Sequence, residues 1–415
     1  MTSKTTHSVP FAIIALILGG IATACTESTI VGLLPEIGRS LGVVDESQLS
    51  FAITLYMAGV VVGAPIFTVV LVRMNRKRLL MTAVATQVVG NLLTVFAPSF
   101  GLLMVGRFIS GLPHGAIYGL MALVGAYMAP PGKVGRTVSL TFLGSPIANL
   151  AMVPLMTFIG QRFGHGVAFA VVAVMGSVAI AAMAGWLPDM RDLRPTNPRQ
   201  EMGVFRNRQV MLTLLAGLIG FVGLYGFLSY MALSVERIAG LDPSLMPFIM
   251  MTTGFGSLTG VMVNGHLSDR FPEGSFPAVI LGFAIVLALA PAMMQTIPTA
   301  FIEVFLVTMF GSGAFPQAMQ VRLINHAGDA QNFAASLNHA ALCLSNGLGS
   351  IISSVIVGAG IGGALRYAMP PVFCAIFALV GLTVLGVAVY FVKSGRDTAP
   401  SAASTKGAGA EVSTP

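Results

Sequence analysis

Charged side chains are scarce in this sequence. Only 9% of its 415 residues are Asp, Glu, Lys or Arg, and 55% are hydrophobic, whereas soluble domains carry about 25% charged residues. The mean hydropathy is +0.86. The surface of a soluble domain needs more charged residues than this. The composition therefore excludes a soluble domain and indicates a membrane protein.

Cysteines and enzyme motifs are also scarce. Cys25, Cys343 and Cys374 all lie within predicted spans without a disulfide framework or metal-ligand spacing, and we expect them to be small core residues. The phosphate loop GxxxxGK[ST] and the zinc motif HExxH do not occur. We therefore expect neither an enzyme nor a bound cofactor or metal.

Long apolar runs recur along nearly the whole chain. A hydrocarbon core of about 30 Å takes about 20 helical residues, and the runs are continuous rather than alternating as in barrel strands. The sequence thus predicts an all-α protein with transmembrane helices near 11–34, 49–72, 79–97, 100–128, 138–160, 166–187, 210–235, 246–267, 277–295, 298–321, 333–358 and 366–392.

The basic residues predict the orientation of these helices. Among 22 Lys and Arg residues, Arg39, Arg162, Arg237 and Arg366 fall on the far side and Arg107 lies within a span. The others share the side of the N-terminus. Because cytoplasmic loops are enriched in Lys and Arg, both termini are expected in the cytoplasm, and anionic lipid accounts for the net charge of +7 without nucleic acid.

A polar break divides the chain into two halves. Residues 188–209 form the longest polar segment and are interpreted as a cytoplasmic linker between six-helix bundles at 1–187 and 210–392. Residues 393–415 are rich in Ala, Ser, Thr and Gly, so we expect a disordered cytoplasmic tail.

Several motifs together resemble a known family. The chain is similar to the major facilitator superfamily, within it to the drug:proton antiporter family with twelve spans, and most closely to the arabinose-efflux permease branch. The motifs are TESTIVGLLPEIGRSLGV, VVGAPI, RKRLL, GRFISGLPHGAIYG, WLPDMRD, FIMMTTGFGSLTG, GHLSDRF and FPQAMQ. The resemblance implies two pseudo-symmetric six-helix halves around a central cavity lined by the first, fourth, seventh and tenth spans.

The same resemblance identifies a loop motif, Gly-x-x-x-Asp-Arg-x-Gly-Arg-Arg. After the second span it is altered, with Thr68, Val72 and Asn75 at three positions, and after the eighth span its start is retained. The gating or loop residues implied are Arg73, Arg76, Lys77, Arg78, Gly265, Asp269 and Arg270. In the fifth span the antiporter motif Gly-Pro-x-x-Gly-Gly keeps only Pro146.

Three intramembrane charges are expected at similar depth. At 1.5 Å per residue, Glu27 lies about 10 Å below the outer end of its span, Arg107 at about the same depth and Glu303 at about 8 Å. A charge facing lipid costs at least about 2.5–3.5 kcal/mol, so such groups normally face the bundle interior with a partner. We interpret Glu27, paired with Arg107, as the proton-coupling group and Glu303 as a further candidate; a purely structural ion pair is the alternative.

Other polar side chains are candidates for substrate binding. His114 and Tyr118 follow Arg107 along one stripe of the fourth span. The full candidate set is His114, Tyr118, Ser145, Asn149, Tyr225, Ser229 and Asn338. The stripe of His339, Cys343, Asn346 and Ser350 in the eleventh span is interpreted as helix packing.

The function expected is secondary active transport by alternating access in a bacterial inner membrane. The leading hypothesis is proton-coupled efflux of a sugar, a sugar-like metabolite or a drug by a monomer. Its partners would be the solute, protons and membrane lipids, and not nucleic acid. Uptake, facilitated diffusion, and a non-transporting membrane sensor with the same fold are the alternatives.

Overall fold

The computed structural model describes residues 9–42, 46–67, 74–190, 202–242 and 245–393. Six spans precede residue 190: Val9–Leu41, Glu46–Pro65, Arg76–Val95, Phe100–Gly111 with His114–Met128, Val134–Thr141 with Gly144–Ile147, Ala148–Met152 and Val153–Phe163, and His165–Trp186. Six follow: Arg208–Gly220 with Val222–Arg237, Met246–Arg270, Ser275–Met293, Ile297–Thr308 with Met309–Ala314 and Phe315–His326, Gln331–Gly358, and Pro370–Lys393. Short 3₁₀ turns lie at Met202–Arg206, Gly328–Ala330 and Gly363–Ala368.

The described helices fit a membrane. Ten of them, counted as continuous segments in the described ranges, are long and apolar enough to cross it. The second span has a shorter apolar stretch, Phe51–Pro65, and the eighth has 25 residues with polar side chains such as Asn264. The prediction of an all-α membrane protein with two six-helix halves is confirmed.

Some predicted spans are interrupted. The fourth, predicted as one helix, breaks at Leu112 and Pro113, because proline lacks the N–H that would continue the hydrogen-bond ladder. The fifth and tenth contain π-helical turns at Ala148–Met152 and Met309–Ala314, a feature often found at functional sites. The twelfth begins at Pro370 rather than 366, because a 3₁₀ turn precedes it.

Each half has its own apolar core. In the second half, Phe276, Phe283 and Phe315 pack together in a buried cluster. In the first, Leu16, Leu79 and other buried aliphatic side chains form the corresponding cluster. The boundaries proposed at 187, 209 and 392 stay a prediction, since residues 191–201 and 394–415 lie outside the described ranges.

The two halves are in close contact at one end of the bundle. We call this the basic end and define it by Lys77, Arg136, Asp269 and Arg322. There a Cβ on Gly135 of the fifth span would lie 2.7 Å from the Cβ of Ser268 in the eighth. The Asp269 carboxylate accepts a hydrogen bond of 3.1 Å from the backbone N–H of Arg136. These contacts hold the fifth and eighth spans together at the basic end.

Candidate functional site: a cavity between the two halves

A cavity of about 200 Å³ lies between the halves. Its wall comes from the first, fourth, fifth, seventh, tenth and eleventh spans. Five of the predicted substrate residues line it: His114, Tyr118, Ser145, Asn149 and Tyr225. Glu27 lies in the same wall, and the described lining residues include no Lys or Arg. The cavity therefore contains one carboxylate among aromatic, amide and hydroxyl groups.

The Glu27 carboxylate is partly open to this cavity. Its side chain is 29% exposed, and its Oε2 lies 3.8 Å from Nε2 of His114. That separation is longer than a hydrogen bond. A small movement of either side chain would bring the two groups within hydrogen-bond distance. Protonation of either group therefore changes the electrostatic energy of the other.

Arg107 lies behind Glu27 and is fully buried. Its guanidinium donates to the backbone oxygens of Thr26, at 2.6 Å, and Glu27, at 3.5 Å. It also lies over the ring of Tyr56, 4.4 Å from the ring centroid. In the described part of the chain the cation thus binds the backbone beside Glu27 and not its carboxylate, so the expected direct side-chain pair is replaced by an indirect one.

Comparison with known proteins agrees with this architecture. Residues 16–350 match the family model described as Major Facilitator Superfamily. The chain belongs to the major facilitator superfamily. It is 30% identical to AraJ of Escherichia coli (strain K12), over 90% of this chain and 94% of AraJ. It is 27% identical to the inner membrane transport protein YdhP of the same strain, over 90% and 95%.

Solved structures show the same fold at low identity. The proton:xylose symporter XylE superposes with a TM-score of 0.71 at 15% identity, covering 93% of this chain and 95% of XylE. The transporter FucP gives 0.72 at 15% identity, over 92% and 99%. Membership of this superfamily makes the chain a multi-pass membrane transporter and not an enzyme, as predicted; the matches leave its solute unspecified.

His114 of this transporter is held from behind by the second span. Tyr56 Oη and His114 Nδ1 lie 2.7 Å apart, and both residues are buried. The rings meet edge to face, with 5.6 Å between centroids. Since Nδ1 is occupied by Tyr56, it is the other ring nitrogen of His114 that faces Glu27.

Small residues bring the second and fourth spans together. A Cβ on Gly111 would lie 2.2 Å from the backbone oxygen of Tyr56, and one on Gly63 would lie 1.7 Å from that of Leu112. Real Cβ atoms do not approach so closely, so glycine is required at both positions. Gly59 and Gly63 form a GxxxG pattern, which is typical of membrane helices whose backbones touch.

The base of the cavity is aromatic. The ring of His339 in the eleventh span stacks on Tyr118 of the fourth, with 4.2 Å between centroids and 12° between planes. His114 lies 5.1 Å from His339 by the same measure. The interpretation of the eleventh-span stripe as packing was incomplete, because His339, Cys343 and Asn346 line the cavity.

Three predicted residues lie outside the cavity wall. Glu303 is fully buried, and neither carboxylate oxygen has a hydrogen-bond partner among the described residues. It is not among the cavity's lining residues, which on the tenth span are Ser312, Pro316 and Gln317. Asn338 is buried and donates to Gln320 and to the oxygen of Pro316 at 3.0 Å. Ser229 is exposed without joining the lining residues.

The loop-motif residues lie at the basic end. The ammonium of Lys77 donates to the backbone oxygens of Ala184 and Leu187, at 2.8 and 2.7 Å, at the end of the sixth span. A Cβ on Gly265 would lie 3.1 Å from the Cα of Arg136. Arg270 lies over the ring of Phe271. Arg76 and Arg78 begin the third span beside Lys77, whereas Arg73 lies outside the described residues.

An ion cluster not anticipated from the sequence lies nearby. Glu273, between the eighth and ninth spans, binds the guanidinium of Arg322 and lies 3.0 Å from Nε2 of His326. The hydrogen bond from His326, opposed by burial and aided by the charge of Arg322, lowers the pKa of Glu273 to about 2. Arg322 also donates to Thr213 at 3.2 Å, so the cluster joins the seventh and tenth spans.

No described group suits a metal. Among the residues in the described ranges, no three His, Cys, Asp or Glu side chains are arranged to hold a metal ion. His114, His339, Cys343 and Glu27 share one wall but do not converge on a point.

Proposed function

We propose that the protein is a proton-coupled transporter that exports a small organic solute from a bacterial cell by alternating access. The halves, taken as residues 1–187 and 210–392, rock about the cavity, as in other transporters built from repeats. The basic end faces the cytoplasm with both termini, following the distribution of Lys and Arg. The inner membrane of a bacterial cell is the proposed location, as for YdhP, which is an inner membrane transport protein.

The observation that carries the proposal is a carboxylate in the wall of the cavity. An acid within the membrane is costly and normally serves a pathway for ions or protons. Glu27 is open to the cavity, has His114 beside it, and has a buried cation bound to its backbone. We infer that Glu27 loads and releases the coupling proton, with Arg107 setting its affinity. A receptor with the same fold would need no such group.

The cavity wall supports a neutral or cationic solute. Among its described residues Glu27 is the one acid, no Lys or Arg is present, and the amides of Asn149, Gln317 and Asn346 offer donors and acceptors. Aromatic rings of Tyr118 and Tyr225 provide flat apolar contacts of the kind that bind sugar rings and drugs. A sugar or sugar-like metabolite leads because of the resemblance to arabinose-efflux permeases, and drugs follow.

Uptake or facilitated diffusion is a second candidate, favoured by one observation. The fifth-span motif associated with antiporters keeps only Pro146, which lies in the cavity wall. Export rests on the resemblance of the remaining motifs. The direction of transport is therefore to be decided by measuring solute movement against both the solute gradient and the pH gradient.

Counterflow in proteoliposomes tests the proposal. Purified protein is reconstituted and labelled sugars and cationic drugs are offered with and without an imposed pH gradient. Proton-coupled export predicts exchange of one solute class without a gradient, and accumulation against its own gradient when protons flow the opposite way. Accumulation driven by protons flowing with the solute would indicate uptake by symport. Solute transport that is the same with and without the pH gradient would contradict proton coupling.

A further inference from the structure

Tyr56 has no assigned role, yet it touches both groups that flank Glu27. We propose that Tyr56 is a positioning residue that fixes His114 in the tautomer whose Nε2–H points to the Glu27 carboxylate. The inference rests on the proposed function for its effect on coupling, but the tautomer itself can be observed without transport.

The position of Tyr56 is fixed from two sides. Its backbone oxygen is in the contact that requires glycine at position 111. Its ring lies under the guanidinium of Arg107, 4.4 Å from the centroid, which is an attractive cation–π distance. The side chain is fully buried. The hydroxyl is therefore presented to His114 in one place, and it lies 2.7 Å from Nδ1.

The hydrogen bond selects one tautomer. A neutral imidazole carries its proton on one nitrogen and accepts at the other. A hydroxyl can donate or accept, but among the described contacts Nδ1 is the partner of the buried Tyr56 hydroxyl, and the proton of that hydroxyl would be left unpaired if it only accepted. The hydroxyl therefore donates to Nδ1, and the imidazole proton lies on Nε2, 3.8 Å from the Glu27 oxygen. The other tautomer would face the carboxylate with a lone pair. Both neighbours of His114 thus favour the Nε2–H form.

Other titratable groups also face this imidazole. They are Glu27 on the first span, Arg107 and Tyr118 on the fourth, and His339 and Cys343 on the eleventh. In the described contacts of His114, Tyr56 is the hydrogen-bond partner that reaches Nδ1. Without its hydroxyl the imidazole is free to reverse its tautomer or to rotate. The distance between Nε2 of His114 and the Glu27 carboxylate is then no longer fixed.

The first experiment reads the tautomer directly. Full-length protein with nitrogen-15 histidine is examined by NMR, and the His114 signals are assigned by their loss in His114→Gln. We expect the neutral Nε2–H form in the unmodified protein and a mixture in Tyr56→Phe, which keeps the ring over Arg107. An Nδ1–H form in the unmodified protein, or identical tautomers in both proteins, would overturn the proposal.

The second experiment measures the pH profile of proton-driven transport. Tyr56→Phe should move the profile by roughly half a pH unit to one unit, the size of one net hydrogen bond. The matched control is Tyr230→Phe, which removes a hydroxyl bonded to Ser354, outside the cavity wall. Its profile should coincide with that of the unmodified protein.

The two measurements separate the possible failures. A reversed or unchanged tautomer rejects the role of Tyr56 even where proton-driven transport is intact. If the tautomers are as expected but transport does not respond to the pH gradient, the positioning by Tyr56 is supported. The proposed proton coupling is then rejected instead. A Tyr56→Phe profile that coincides with the Tyr230→Phe profile rejects the effect of Tyr56 on coupling.

Discussion

His339 and Tyr118 stack face to face across the boundary between the halves, with 4.2 Å between their ring centroids. One ring belongs to the eleventh span and the other to the fourth. Below them, a Cβ on Gly119 would lie 3.0 Å from the backbone nitrogen of Ser336, so the same two spans continue in close contact. In the proposed cycle, opening the cavity toward the basic end requires this stack to separate. The aromatic pair is thus both cavity wall and barrier.

Lys77 should matter for folding more than its charge alone predicts. Lys77→Gln and Arg78→Gln each remove one positive charge from the same loop, but only Lys77 caps the sixth span at Ala184 and Leu187. A cation at a helix C-terminus contributes about 0.3–1 kcal/mol, and more when partly buried. Lys77→Gln should therefore lower the yield of inserted protein and its Tm more than the exposed Arg78→Gln.

Solute affinity provides the control for that comparison. We expect it to stay unchanged in both variants, because the loop lies at the basic end and away from the cavity wall. A selective loss of affinity with normal insertion would show that the loop contacts the solute.

Glycine at position 111 should be indispensable. A Cβ there would overlap the backbone oxygen of Tyr56 at 2.2 Å, and a backbone atom cannot move aside easily. We expect Gly111→Ala to destabilise the protein by about 1–3 kcal/mol, as overpacking does. The measurement is thermal unfolding in detergent. Gly101→Ala, in the same span but with open space around the new methyl group, should leave the Tm unchanged or raise it slightly. Equal losses in both would contradict the packing described.

The stabilising effect of Glu273 should depend on pH. Its pKa is lowered to about 2 from an ordinary 4.5, so its stabilising effect is complete above pH 4.5 and declines as the pH falls toward 2. The carboxylate is 56% exposed, so water screens it and we expect a difference of about 1 kcal/mol or less.

Glu273→Gln provides the comparison. At pH 7 the unmodified protein should have the higher Tm, and the gap should narrow between pH 4.5 and 3. Thermal unfolding of both proteins across this range is the measurement. A gap that stays constant with pH would exclude the ion cluster as its source.

The sequence predicts most of the architecture because the bilayer imposes a simple rule. Long apolar runs must be helices, so the spans and the two halves follow from hydropathy. The break at Pro113 could also have been predicted from the missing N–H. The π-helical turns could not, because they depend on how neighbouring spans pack and no residue pattern identifies them.

The candidate site was predictable only in part. A lone acid in an apolar run stands out, and so Glu27 was found; helical spacing then connected Arg107, His114 and Tyr118 along one stripe. The sequence does not single out Tyr56, and it does not place His339 in the cavity wall, because both positions arise from contacts between spans far apart in sequence. The position of Glu303 outside the cavity wall could not be predicted for a similar reason: depth in the membrane can be counted from the sequence, but the direction in which a buried side chain faces depends on packing.

The central claim is that Glu27 carries the coupling proton, and one variant tests it most directly. Glu27→Gln keeps the size and polarity of the side chain but cannot ionise. In proteoliposomes containing the solute identified by counterflow, we predict that exchange persists in this variant while accumulation driven by a pH gradient is lost. Glu27→Gln protein that still concentrates the solute with a pH difference alone would contradict the account and place the coupling proton elsewhere.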